Sequence, residues 1–136
     1  MIPKYMLDTN MCIYLLKHHP PEVAARFTQC YVGEVVISSI TLAELEYGLT
    51  CSGDAQPGNR AALSLLLVDL AVAPFDAAAA TAYGPVRLAT RERRHDALDK
   101  LIAAHAIALD VILVTNNVTD FAGYPGLHME NWAGNH

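Results

Sequence analysis

Short apolar segments alternate along the chain with longer segments of helical periodicity, and this alternation limits the possible folds more than any other feature. Near-continuous apolar runs are typical of strands buried on both faces of a parallel sheet. The predicted strands are KYML, EVVIS, LAVAPF and DVILVT, with a weaker fifth in LHMEN. The helical segments are MCIYLLKH, TLAELEYGL, NRAALSLLLVDL, DAAAATAYGPVRLATRER and ALDKLIAAHAIAL. We therefore predict an α/β fold, a three-layer α/β/α sandwich around a central parallel sheet of four to five strands.

Capping residues and one proline predict where the helices begin and break. Start signals lie at Ser39 or Thr41, Asn59, Asp76 and Asp96. Gly84-Pro85 falls inside the fourth helical segment, where proline removes a backbone hydrogen bond and clashes with the preceding turn. We expect a kink or a split of that helix at Pro85.

Length and composition predict one compact intracellular domain over residues 1–136. A chain of 136 residues, 53% of them hydrophobic, can bury a substantial core without disulfide or metal cross-links. Its three cysteines are too few and too widely spaced for a disulfide framework, and we expect them to be reduced. The first residues lack the features of a secretory signal, and the most apolar stretch is shorter than the roughly 20 residues that span a bilayer. We predict a cytoplasmic protein without a membrane span.

The charge distribution is uneven. A net charge of −5 argues against a general nucleic-acid-binding surface, which normally requires an excess of Lys and Arg. Yet the segment RLATRERR places Arg87, Arg91, Arg93 and Arg94 close together. They are candidates for a local cationic ridge that contacts a nucleic-acid backbone. The alternative is a solvated helix end, where cations face the negative end of the helix dipole.

Several acidic side chains follow the predicted strands. In an open parallel α/β sheet, ligands bind beyond the carboxyl ends of the strands. Asp8 comes directly after the first strand, Glu44 soon after the second, and Asp99 opens the helix ahead of the fourth. The segment TNNVTDF after the fourth strand adds Asn116, Asn117 and Asp120. The fold thus predicts that several carboxylates share one edge of the sheet.

Each acid also has a purely structural interpretation. Asp8 or Asn10 can cap the next helix, and Thr41 with Glu44 fits a capping box. The helix dipole favours Asp96 and Asp99 at a helix start. We expect Asp96 to act only as a cap. Two carboxylates about 4 Å apart, however, repel by roughly 4 kcal/mol at an effective dielectric constant near 20, so a cluster requires a cation.

The ligand chemistry favours Mg²⁺ or Mn²⁺ over zinc. The acids offer only oxygen atoms, and the six histidines show no zinc-binding spacing. We expect His105, on an apolar helix, to be a hydrogen-bonded core residue or a support for the ligands. A Mg²⁺ ion held by carboxylates in a cleft lowers the pKa of bound water and neutralises a phosphodiester oxygen, which indicates phosphate chemistry.

Five motifs occur in order over nearly the whole chain. They are LDTN at 7–10, SSITLAELEYG at 38–48, LDKLIAAHA at 98–106, LVTNN at 113–117 and PGLHMENW at 125–132. In these motifs the sequence resembles the PIN-domain ribonucleases, specifically the VapC-type toxins of bacterial toxin–antitoxin pairs.

The resemblance implies a Mg²⁺- or Mn²⁺-dependent endoribonuclease in which metal-activated water attacks the phosphodiester bond. The metal-binding and catalytic acids of that family correspond here to Asp8, Glu44 and Asp99. A fourth acid of many members falls at Asn117, which leaves open whether one or two ions bind, and Asp120 is a candidate to supply that charge through water. The hydroxyl groups of Thr9 and Thr115 are candidates for supporting hydrogen bonds, with helix and turn capping as the alternative.

The family further implies a homodimer, a VapB-type antitoxin that blocks the acidic cleft, and tRNA or rRNA as substrate. A non-catalytic PIN-fold module that keeps its antitoxin is the main alternative, and Asn117 is its support in the sequence. Receiver domains and haloacid-dehalogenase-like phosphatases also place Asp after the first strand. The former expect a Lys after a late strand, where this chain has Asn116, and the latter expect Asp-x-Asp, where it has Asp8-Thr9-Asn10.

Overall fold

The sheet at the centre of the molecule is parallel throughout. The computed structural model describes residues 2–134, and within them five strands hydrogen-bond in the order β3-β2-β1-β4-β5. The strands are β1 (Tyr5–Leu7), β2 (Val35–Ser38), β3 (Ala71–Ala73), β4 (Ile112–Val114) and β5 (His128–Glu130). The weak fifth strand of the sequence pattern is therefore confirmed as an edge strand.

Helices cover both faces of the sheet. They are α1 (Thr9–Lys17), α2 (Pro21–Thr28), α3 (Ser39–Thr50), α4 (Gln56–Asp69), α5 (Ala77–Ala89), α6 (Ala97–Leu109) and α7 (Val118–Phe121), with a 3₁₀ turn at Gly53–Ala55. Alternate strand residues point into two separate cores, since Leu7 packs with Met11 of α1 on one face while Met6 packs with Ile102 of α6 on the other. The predicted three-layer α/β/α sandwich is confirmed.

The strand order creates the crevice in which a ligand can bind. The chain moves outward from β1 to β2 and β3, then crosses to the opposite side of β1 and continues with β4 and β5. Asp8 follows β1 and Thr115 follows the neighbouring β4. Beyond these two residues the chain leaves toward opposite sides of the sheet. In α/β sheets this reversal of strand order is where ligands bind.

Four local expectations were wrong. The pattern missed α2, which begins at Pro21; proline suits the first helical position, because its fixed φ is helical and the N–H that it lacks would have no partner within the helix. α4 begins at Gln56, ahead of Asn59. α5 continues through Pro85, so the expected split is wrong, while the alternative, a kink, stays a prediction. LAVAPF was expected to be a buried strand, but β3 pairs on one side only and Val72 is 37% exposed.

None of the helices within residues 2–134 is both long enough and apolar enough to cross a membrane.

Candidate active site

Asp8 lies at the junction between β1 and α1, where it is both a helix cap and a buried acid. Its Oδ1 accepts a hydrogen bond from the backbone N–H of Met11 at 2.9 Å, and the hydroxyl of Thr115 bonds to the same carboxylate. Burial leaves the side chain 4% exposed and, helped by nearby Glu44, raises its pKa to about 6 despite these hydrogen bonds. The capping interpretation is confirmed, and it fixes an acid at the carboxyl edge of the sheet.

Glu44 belongs to the same edge and does not form the expected capping box. Ser38 caps α3 instead, with its Oγ accepting from the N–H of Ile40 at 3.0 Å. The Oγ1 of Thr41 is buried and has no hydrogen-bond partner within residues 2–134. Glu44 Oε1 accepts a hydrogen bond of 2.6 Å from the hydroxyl of Thr9 on α1. This contact orients Glu44 toward the end of β1.

Asp99 completes the group of acids from the first turn of α6. Its side chain is half-buried, and desolvation is the largest cause of a pKa raised to about 6. The carboxylates of Glu44, Asp8, Asp120 and Asp96 raise it further, in that order. Mutual repulsion therefore acts between acids that are far apart in the sequence, as the clustering prediction requires.

One open cleft of about 630 Å³ brings the three acids together. Its polar lining also includes Thr9, Asn10 and Asn117. Apolar side chains form the remaining walls: Ile13, Ile40, Ala43, Leu98, Ile102 and Phe121, with Tyr47 at the rim. The sequence analysis missed these walls, although positions 40, 43, 44 and 47 have the spacing of one helical face around Glu44.

The donor set fits a hard divalent cation, although the acids do not form a closed coordination shell. Within residues 2–134, no group of three His, Cys, Asp or Glu side chains is arranged closely enough to hold a metal ion directly. The cleft nevertheless offers only oxygen ligands, which suit Mg²⁺ or Mn²⁺. Burial, and next to it the neighbouring carboxylates, raises the pKa of Asp8 and Asp99 to about 6, and a bound cation would favour their ionised forms.

Comparison with known proteins agrees with the fold. The family model for the PIN domain matches residues 5–126. The chain belongs to the PIN domain family. The tRNA(fMet)-specific endonuclease VapC of Shigella flexneri is 40% identical over 132 residues, covering 96% of this chain and 98% of that protein. The similarity thus extends over nearly the full length of both proteins.

One chain in each of two solved VapBC complexes has the same fold as this PIN domain. A DNA-bound VapBC from Salmonella typhimurium superposes with a TM-score of 0.86 at 37% identity, covering 96% of this chain and 98% of that one. VapBC2 from Rickettsia felis, bound to a DNA fragment from its promoter, gives a TM-score of 0.82 at 36% identity over 94% and 98%.

The polar residues after β4 separate into two groups in this PIN domain. Asn117 lines the acidic cleft, and its N–H donates to Thr115 Oγ1 at 2.9 Å. Thr115 thus supports both Asp8 and the following turn. Asp120, on α7, lies outside the cleft in a neighbouring hollow that also contains Asp99. Its charge reaches Asp99, but no contact places it among the acids of the cleft.

The structure divides the arginine segment. Arg87 lies over the ring of Tyr83 on α5, with its guanidinium carbon 6.0 Å from the ring centre, and Arg91 is exposed. Arg93 turns inward, and its Nη1 donates to the backbone carbonyl of Asp120 at 2.7 Å. Arg94 is exposed at the rim of the neighbouring hollow. The four arginines therefore do not form one continuous cationic ridge.

Asp96 does not make the expected side-chain cap. Its Oδ2 accepts from the hydroxyl of Tyr124 at 2.7 Å, and its Oδ1 lies 3.0 Å from the ammonium of buried Lys100. These hydrogen bonds and the positive charge lower the pKa of Asp96 although burial opposes them. The pair fixes the turn that precedes Asp99.

His105 is the hydrogen-bonded core histidine that the sequence predicted, and its partner Ser38 was missed. Its Nδ1 lies 2.8 Å from Ser38 Oγ, and the ring also hydrogen-bonds the backbone of Pro74. Proline has no N–H, so the ring donates to that carbonyl and Nδ1 accepts from the Ser38 hydroxyl. Burial lowers the pKa of His105 and favours this neutral form. Glu44 lies on α3, which Ser38 caps, and Asp99 lies on α6 with His105. The contact between Ser38 and His105 therefore joins the two helices that carry these acids.

Proposed function

We propose that this chain is a metal-dependent endoribonuclease of the VapC type and the toxin of a toxin–antitoxin pair. One observation carries the proposal: Asp8, Glu44 and Asp99 line a single open cleft at the carboxyl edge of the sheet in a PIN-domain chain. The curated relatives are named as ribonucleases or endonucleases, which supports a nuclease.

Asp8, Glu44 and Asp99 are the residues that would hold Mg²⁺ or Mn²⁺. When bound, the ion supplies positive charge to the phosphate oxygens and lowers the pKa of water at the cleft. Thr115 and the N–H of Met11 fix the carboxylate of Asp8, and Thr9 fixes that of Glu44. Such supporting hydrogen bonds commonly contribute 10- to 100-fold to metal affinity.

Asn117 favours a single tightly held ion. Its amide lies in the cleft at the position where many relatives carry a fourth acid, and it adds no negative charge. The same residue is the one observation that favours the second candidate, a non-catalytic binding module. The grouping of three acids in one open cleft favours the enzyme, and so do the raised pKa values of Asp8 and Asp99, because perturbed acids in a cleft are typical of functional sites.

The proposed substrate is tRNA, and tRNA(fMet) is the first to test. The support is the Shigella flexneri relative, which carries that specificity in its name and shares 40% of its residues with this chain. Ribosomal RNA is the second class. We further propose a VapB-type antitoxin as partner, since the solved neighbours are VapBC complexes. A homodimer remains a prediction.

Incubation of antitoxin-free protein with total bacterial RNA, followed by mapping of new RNA ends, tests the proposal. Parallel reactions contain Mg²⁺, Mn²⁺ or EDTA, and the Asp99→Asn variant serves as the matched protein. Cleavage at a few sites that needs metal and is lost in the variant supports the endonuclease and identifies its substrate. Folded protein that binds no Mg²⁺ and cuts no RNA supports the binding module.

A further inference from the structure

A second hollow adjoins the acidic cleft. It has a volume of about 510 Å³, and Asp99 is the one lining residue that the two share. Its other lining residues are Arg93, Arg94, His95, Asp96, Thr119 and Asp120. A strand of nucleic acid that passes Asp99 in the cleft would therefore continue into a hollow lined by three basic side chains.

One of these basic side chains is committed to the fold. Arg93 donates to the carbonyl of Asp120, and its guanidinium carbon lies 5.4 Å from the ring centre of Tyr124. Its Nη1 is also 3.8 Å from Asp96 Oδ2. The guanidinium packs so closely on Gly123 that a Cβ there would collide with it. These contacts hold the guanidinium of Arg93 in place, with Nη1 engaged by Asp120 and Asp96.

The loop between α5 and α6 is anchored from beneath by Lys100. The ammonium of this buried residue donates to the carbonyl of Thr90 at 3.0 Å and to that of Arg93 at 3.1 Å. It also pairs with Asp96 at 3.0 Å, which compensates the charge of that acid. The backbone that presents the next two residues, Arg94 and His95, is therefore held in place.

Arg94 and His95 are exposed on this anchored loop, and within residues 2–134 neither forms a hydrogen bond or an ion pair. Two basic groups without a partner thus lie beside an acidic cleft in a protein of net charge −5. The planar guanidinium matches phosphate oxygens in a bidentate geometry, and imidazole adds a ring N–H donor. A phosphodiester group fits both side chains.

We propose that Arg94 and His95 bind a backbone phosphate of the RNA that flanks the phosphate being cleaved. The inference rests on the proposed ribonuclease function. It assigns the contact to Arg94 and His95, whereas Arg93 is held by the fold and Arg91 lines neither the cleft nor the second hollow. An acidic segment of the antitoxin is the other ligand that such a pair would attract.

Binding of fluorescently labelled tRNA(fMet) to the full chain in EDTA, where cleavage is not supported, tests the inference. Fluorescence anisotropy over a range of salt concentrations gives the affinity and its salt slope for the wild type and for the double variant Arg94→Ala/His95→Ala. Arg91→Ala, which removes an exposed arginine from the same loop, is the matched control. We expect the double variant to lose roughly three- to tenfold in affinity and about one unit of salt slope, and the control to change neither.

Each other outcome overturns the inference in a distinguishable way. If the double variant binds tRNA with unchanged affinity and slope while the wild type still cleaves RNA, the phosphate contact is wrong and the nuclease stands. If the double variant binds the antitoxin more weakly but binds tRNA as the wild type does, the hollow binds protein and the phosphate contact is wrong. If the wild type neither binds nor cleaves RNA, the proposed function fails together with this inference.

Discussion

Replacing Asp8 with Asn is expected to stabilise the metal-free protein at neutral and alkaline pH. Asn is as good a helix cap as Asp, so the hydrogen bond from Met11 is retained. What the substitution removes is a buried negative charge that faces Glu44. The benefit exists only where the wild-type carboxyl is ionised, which makes it depend on pH.

The raised pKa of Asp8 sets the sign and the size of the effect. A folded-state pKa of about 6, against 3.8 for the free group, means that the folded protein binds the proton more tightly than the unfolded chain. The associated stability is fully present below pH 3.8 and is lost as the pH rises through about 6. At about 1.36 kcal/mol per pH unit, the penalty at pH 8 is at most about 3 kcal/mol. We expect Asp8→Asn to recover roughly 1–3 kcal/mol there and nothing near pH 3.5.

Urea unfolding in EDTA at pH values from about 3.5 to about 8 measures this difference. The matched control is Asp76→Asn, the same change at the cap of α5, where the exposed side chain accepts from the N–H of Ala79 outside the cleft. It should alter stability by only a few tenths of a kcal/mol at any pH. A variant Asp8→Asn that is less stable than the wild type at pH 8, or a gain that does not vanish in acid, refutes the reasoning.

Three further substitutions test the supports of the cleft. Thr9→Val removes the hydroxyl that orients Glu44, and the Mg²⁺ concentration for half-maximal RNA cleavage should rise roughly tenfold; an unchanged metal titration contradicts that role. His105→Ala leaves a cavity and an unpaired Ser38 hydroxyl, so urea denaturation should show a loss of about 2–4 kcal/mol. Lys100→Met leaves two carbonyls without their donor and Asp96 without its nearest cation, and thermal unfolding should reveal a loss of about 2–4 kcal/mol; a neutral result means that the loop does not depend on the ammonium.

The architecture was predictable because its signals are local and periodic. Three buried strands lie within the continuous apolar runs. The acids meet at one edge because parallel strands end on the same side of the sheet. The errors arose where a residue has two opposite structural uses. Pro21 begins α2, which the pattern missed, and Pro85, where a split was one expectation, lies inside a continuous α5. β3 has a core-like sequence, but its place in the strand order exposes it.

The acids of the cleft were predictable, while their supports were not. Asp8, Glu44 and Asp99 each occupy a position defined by one strand or one helix start. The bond between His105 and Ser38 joins residues 67 positions apart, and no local pattern signals it. The inward turn of Arg93 depends in the same way on Asp120 and Tyr124, which only the folded chain brings near. A single sequence does not reveal which residues far apart along the chain are in contact.

The central claim is that the acidic cleft binds a divalent cation and uses it to cut RNA. The most direct test is the rate of tRNA(fMet) cleavage by antitoxin-free protein as a function of Mg²⁺ concentration, for the wild type, Asp99→Asn and the control Asp76→Asn. We predict saturable, EDTA-sensitive cleavage that Asp99→Asn abolishes and the control retains. Full activity of Asp99→Asn, or cleavage that persists in EDTA, would contradict the assignment of the site.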